Sequence, residues 1–165
     1  MPDAAFWIDR LDLTPHPEGG YYRETYRSDL ELPADALPSQ FEGSRHAAAL
    51  IYFLLPGDDV SALHRIRQEE AWHFYDGASL TIHQLLPDGT YATVSLGRDV
   101  QAGQQLQAVV PAGAWFGATV DDADRFALVG CTTAPAFDFA DFEMAEATAL
   151  REEYPQHASV VDRLT

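Results

Sequence analysis

The residues whose types and spacing suit chemistry crowd into positions 61–77, SALHRIRQEEAWHFYDG. This stretch holds His64, Glu69, Glu70, His73 and three large aromatics, and it closes on a glycine. Read as two β-strands, it sends every second side chain to one face. Glu70, Trp72 and Phe74 then share a face, Ala71, His73 and Tyr75 take the other, and His64 lies on the strand before. An imidazole and a carboxylate facing an aromatic-lined cavity suit either a metal or acid–base work. The same residues also suit a barrel core whose polar groups only satisfy one another.

The elements that must position these residues follow from periodicity and punctuation. Residues 3–11 read as a short helix capped by Asp3, with Trp7 and Leu11 as its apolar face. The prolines and glycines of TPHPEGG at 14–20 end it, and His16 and Glu18 are read as flanking a strand entry. Residues 21–28 form a strand with Tyr22, Glu24 and Tyr26 on one face and Tyr21, Arg23, Thr25 and Arg27 on the other. The first set would make a polar-tipped aromatic wall with Glu24 as an acid or base. Arg23 would pair with an acidic neighbour outside. Residues 29–44 are loop-like and long for a connection, which suggests a lid, an edge cover or a subunit contact. Further strands fall at 47–55, 79–86, 91–96, 105–110, 115–120 and 126–132. About eight short strands at roughly ten-residue spacing signal an all-β closed antiparallel barrel or jelly roll. Residues 144–154 are helical in pattern, and Pro155 starts a last short helix. No repeat or second domain is visible, so residues 1–165 read as one domain.

Composition excludes several function classes. Ten Lys+Arg against 26 Asp+Glu give a formal net charge of −16, and every one of those cations is arginine. Such a surface repels phosphate backbones and anionic lipid, so neither nucleic acid nor a membrane surface is the expected partner. Cys131 is the single cysteine. It forms no intrachain disulfide and reads as a buried structural thiol between apolar and small neighbours. The amino terminus carries no signal-peptide pattern and no apolar run reaches membrane-spanning length, which points to a cytoplasmic protein. A Gly-rich phosphate loop, a cysteine cluster, a nucleophile elbow and a helical histidine pair are all missing from the sequence.

Two stretches resemble the cupin motifs. His64, Glu70 and Gly77 match the first motif, His-x-His, three or four residues, Glu, six residues, Gly; Ile66 stands where its second histidine belongs. Pro111-Ala112-Gly113 matches the second motif, but Phe116 occupies the place of its histidine. Two of four usual metal ligands are therefore replaced, and His64 with Glu70 alone would hold a divalent metal weakly. His73 falls opposite Glu70, and His83 compensates only if its face points inward. A narrower resemblance spans nearly the whole chain. HPEGGYYRETYRS at 16–28, HRIRQEEAWHFYDG, LGRDVQAGQ, VVPAGAWFGA at 109–118 and LVGCTTAPAFDFADFE at 128–143 are similar to the small single-domain cupins of type 5, a family kept under a domain-of-unknown-function heading. Ala136 departs from it, standing where a glycine is expected. The resemblance implies a cupin jelly-roll β-barrel with short N- and C-terminal helices, a homodimer, and structural kinship to sugar-nucleotide epimerases of the rhamnose pathway.

The functional expectation is a small-molecule pocket. His64 and Glu70 form its acid–base or weak metal pair, and Tyr22, Glu24, Tyr26, Trp72, Phe74, Gln107 and Phe116 shape it. The leading reading is an isomerase or epimerase on a sugar-like, oxygenated substrate. Its rival is a binding module that leaves its ligand unchanged, and a third reading is a metal-dependent cupin oxygenase.

Overall fold

Alternation along the strands resolves, in a computed structural model that describes residues 2–165, into two antiparallel sheets packed face to face. The six-stranded sheet runs, in spatial order, β1 (Thr14–Pro15), β2 (Tyr21–Arg27), β5 (Ala49–Pro56), β12 (Phe126–Thr133), β7 (Glu70–Gly77) and β10 (Gln107–Val110). The five-stranded sheet runs β13 (Glu143–Met144), β6 (Val60–Arg65), β11 (Trp115–Val120), β8 (Leu80–Leu85) and β9 (Tyr91–Leu96). A small pair, β3 (Glu31–Leu32) with β4 (Arg45–His46), gives the 29–44 segment more structure than its composition predicts.

Inward-facing apolar residues of both sheets make one core, in which Phe53, Trp72, Ile82, Phe116 and Val129 are almost wholly buried. Helix α1 (Ala4–Arg10) is capped by Asp3 as expected, and Trp7 and Leu11 pack on Leu13, Leu54, Phe126 and Leu128. Helices α2 (Ala147–Glu153) and α3 (Ala158–Arg163) cover the outer face of the five-stranded sheet, setting Leu150, Tyr154 and Val161 on Leu63, Leu85 and Trp115. The expected 144–154 helix starts late. Glu143 and Met144 instead extend the sheet beside β6, and Glu146 caps α2 by accepting from the Thr148 and Ala149 amides.

Two β-bulges change which side chains face inward. In β2 the register against β5 slips between Glu24 and Tyr26. The extra residue restarts the alternation, so Arg27 turns inward and Tyr26 turns out to 52% exposure. In β6 the register against β11 slips between the partners of Phe116 and Ala118, which are His64 and Ser61. Ser61 and His64, three residues apart, thus reach the same neighbour.

Candidate active site

The HPEGG turn is where the site begins. Gly19 has φ +106°, and a β-carbon there would collide with the Val60 carbonyl. Only glycine lets the turn lie this close to β6. The contact is fixed by the Ala62 amide, which donates to the Glu18 carbonyl at 2.7 Å, and by the Gly20 amide, which donates to Asp59 at 2.9 Å. The Glu18 side chain is thereby driven inward and is 8% exposed.

Glu18 meets three partners there. The Ser61 hydroxyl donates to Oε1 at 2.9 Å. Oε2 lies 3.0 Å from His64 Nε2 and 3.4 Å from His16 Nδ1. His64 Nδ1 is 2.7 Å from the Ala62 carbonyl, which can only accept, so Nδ1 carries hydrogen. His16 Nδ1 in turn accepts the Glu18 amide at 3.3 Å. Neutral imidazoles therefore present two acceptor nitrogens to Oε2, and the proton between them belongs to the Glu18 carboxyl. Electrostatics agrees with this assignment. Burial pushes Glu18 up to about 8. Burial, reinforced by His64, pushes His16 down to about 4, and burial lowers His64 as well.

Glu70 is the second buried carboxyl. Burial first, and Glu18 second, raise it to about 7, while His64 and the nearby Cys131 thiol act the other way. Glu18, His64, Glu70 and Cys131 all border one cavity of about 450 Å³. Its other walls are largely apolar. Phe142 lies 5.5 Å from the His64 ring and 6.1 Å from the His16 ring, centroid to centroid, and Ile66, Phe53 and Phe137 continue the wall. At the rim stand Tyr22, Glu24, Arg27, Asp138 and Phe139.

Of the residues expected at the site, His64, Glu70, Tyr22 and Glu24 border this cavity. Five others do not. Tyr26 is turned out by the β2 bulge, and Gln107 faces outward on β10 opposite His73. Trp72 shares the Glu70 face but lies deeper, its ring 5.9 Å from Phe53 and 6.4 Å from Phe116. Phe74 sits further along β7 beside the neighbouring groove that Arg98 lines. Phe116 is buried against the His64 ring at 4.1 Å, a support for the imidazole rather than a wall. His16, Glu18 and Arg27 were not singled out for the pocket from sequence. Turn residues carry no strand parity, and the bulge reverses Arg27's.

The donor set does not fit a resident metal. Among the described residues no three His, Cys, Asp or Glu side chains form a metal-binding group, since His16, Glu18 and His64 converge only to bond one another. The His64 nitrogens are engaged by Ala62 and Glu18, and Ile66 and Phe116 supply only carbon where further ligands would stand. His73 lies on the outer face near Thr132, and His83 is held on the other sheet by Tyr91 and Thr119, so neither reaches the cavity.

A two-sheet jelly roll with polar side chains converging inside an apolar cavity defines a cupin. Residues 5–145 match the family described as Cupin superfamily (DUF985), and the chain belongs to it. Protein SO0799 from Shewanella oneidensis is 42% identical with a TM-score of 0.90, covering 100% of this chain and 98% of that one. A hypothetical protein from Leishmania major is 38% identical with a TM-score of 0.90, covering 99% of each chain. The uncharacterized protein YML079W of Saccharomyces cerevisiae is 29% identical over 154 residues, 86% of this chain and 76% of its own length. Oxalate decarboxylase from Bacillus subtilis shares the fold alone, at 13% identity and a TM-score of 0.56, over 94% of this chain and 37% of its own. No helix of the described residues is long and apolar enough to cross a membrane.

Proposed function

We propose that this cupin is an acid–base enzyme of the isomerase or epimerase kind, acting as a cytoplasmic homodimer on a small, sugar-like, oxygenated molecule held in the cavity. The observation that carries this reading is the buried Glu18–His64 contact at 3.0 Å. It keeps a proton on a buried carboxyl at neutral pH, next to a second buried carboxyl, Glu70, raised to about 7. Two neighbouring buried carboxyls, one of them with its proton held against an imidazole nitrogen, can divide acid and base roles between them.

In this mechanism Glu70, as carboxylate, removes the proton from a carbon next to the substrate carbonyl. The electron pair moves onto the carbonyl oxygen, which takes its proton from Glu18. His64 Nε2 accepts from that carboxyl and orients it, and the Ser61 hydroxyl, donating to Oε1, stabilises the charge left once the proton has gone. Glu70 then returns its proton to the neighbouring carbon while the hydroxyl on the first carbon gives its proton to Glu18 and becomes the new carbonyl. In an epimerisation the carbon instead takes a proton from solvent on the other face, Glu70 releases its own to solvent, and the enol oxygen returns its proton to Glu18. A base near pH 7 is well matched to this task.

The test is hydrogen exchange. A panel of aldoses and ketoses is incubated with protein in D₂O, and loss of the signal from the carbon next to the carbonyl is followed by proton NMR. Exchange with wild type and its loss in folded His64→Ala and Glu70→Gln supports the reading; an unchanged rate in both removes these residues from the mechanism. A second reading, a binder that leaves its ligand unchanged, is favoured by the saturation of both Glu18 oxygens by Ser61 and His64. Recovery of a bound ligand unaltered after long incubation would favour it.

A further inference from the structure

The one arginine at the cavity, Arg27, is already engaged by a carboxylate. Glu24 grips its guanidinium from both carboxylate oxygens, at 3.0 Å to Nε and 2.7 Å to Nη2. The same Nη2 donates to the Phe137 carbonyl at 3.0 Å. Asp138 accepts the Ala140 amide at 2.8 Å. Arg65 and Arg67 lie in the adjoining groove behind Ile66 and Phe142, where Glu143 engages Arg65, and Gln40 and Glu42 engage Arg67. Inside, the two carboxyls are raised toward the neutral form and the imidazoles are lowered toward it.

Apart from Asp138, exposed at the rim, a ligand's charge finds no free counter-charge here, and burying an unpaired charge is strongly unfavourable. What the cavity offers freely is aromatic surface. Phe137, Phe139 and Phe142 form a mutual edge-to-face cluster with centroids 5.0 to 5.9 Å apart, and Phe139 is 55% exposed at the rim. Rings lay flat apolar faces against such surfaces.

We propose that the Glu24–Arg27 clamp and the Phe137–Phe139–Phe142 cluster select an uncharged, ring-bearing ligand with hydrogen-bonding oxygen, and discriminate against phosphorylated and carboxylated molecules. The proposal rests on the reading of this cavity as a small-molecule site and narrows its ligand class. It sets the protein apart from enzymes of sugar nucleotides, whose substrates carry a diphosphate.

Three probes of matched shape test it: benzyl alcohol, benzoate and benzylammonium, titrated by NMR into the full-length wild-type protein at about pH 6, where both buried carboxyls are protonated. Benzyl alcohol is expected to shift resonances of cavity residues and to bind at least about tenfold more tightly than either ion. Two variants release one charge each. Glu24→Gln frees Arg27 and should raise benzoate affinity several-fold; Arg27→Gln frees Glu24 and should do the same for benzylammonium. The benzyl alcohol affinity of each variant is the reference against which these gains are read. Benzoate binding to wild type as tightly as the alcohol would overturn the proposal, as would no binding by any probe. Neutral binding without hydrogen exchange on sugars would sink the enzymatic reading and leave this one standing.

Discussion

Glu18 gathers the buried polar contacts of the cavity onto one side chain. Its Oε2 faces two imidazole nitrogens, so the proton it holds is the one a reaction would use. Glu18→Gln keeps the shape but cannot supply that proton, and sugar exchange should fall by roughly 100-fold or more. Stability offers an independent reading. Both buried carboxyls have folded values, about 8 and about 7, above the ordinary 4.5, so their contribution is full below pH 4.5 and is lost as pH rises through the folded values. His16, lowered from 6.5 to about 4, works the other way, and its contribution is lost as pH falls from 6.5 toward 4. The trends oppose each other below 6.5, and above it only the carboxyl trend remains. Urea unfolding between about pH 6.5 and 8 should therefore show stability falling, by up to roughly 1.4 kcal/mol per pH unit for each untitrated carboxyl. In Glu18→Gln the fall should flatten above about pH 7, where Glu70 has already ionised. A curve as steep as wild type there would count against Glu18 as the high titrating group.

Among the elements, the segment that carries the aromatic wall is held from behind by a buried ion pair. Arg45 of β4 forks onto Asp141 at 2.8 and 2.7 Å, and Gln68 adds a third bond at 2.7 Å. Both charged side chains are almost fully buried. Asp141→Ala strands Arg45 and Gln68 and should cost about 3–5 kcal/mol in urea unfolding, whereas the paired change Arg45→Met with Asp141→Leu should restore most of that loss. No recovery in the double variant would mean the segment is held by something else. This network joins residues nearly a hundred positions apart, and nothing local in the sequence announces it. Strand parity, by contrast, was legible. Glu70, Trp72 and Phe74 do share the inner face of β7, and β9 and β11 span the residues that alternation assigned to them. Parity failed at Tyr26 and Arg27, because a bulge is a tertiary accommodation between β2 and β5. It failed at Glu18 for another reason: in HPEGG the glycine contacts with β6 decide which way the side chain points.

Over the whole molecule, a formal charge of −16 on 165 residues is a standing self-repulsion. Screening relieves it, so the melting temperature should be several degrees higher in roughly 0.5 M NaCl than in roughly 10 mM salt, by calorimetry. A salt-independent value would mean the acidic groups are already compensated by local pairing. The chain's one sulfhydryl, Cys131, lies on the cavity wall near the Glu70 carboxyl, whose charge acts on it. Its S–H stretching vibration is thus a single, label-free infrared band tied to the ionisation of the proposed base. Titrating that band would report the Glu70 proton directly in the working protein, and a ligand entering the cavity would move the same band without any dye or isotope.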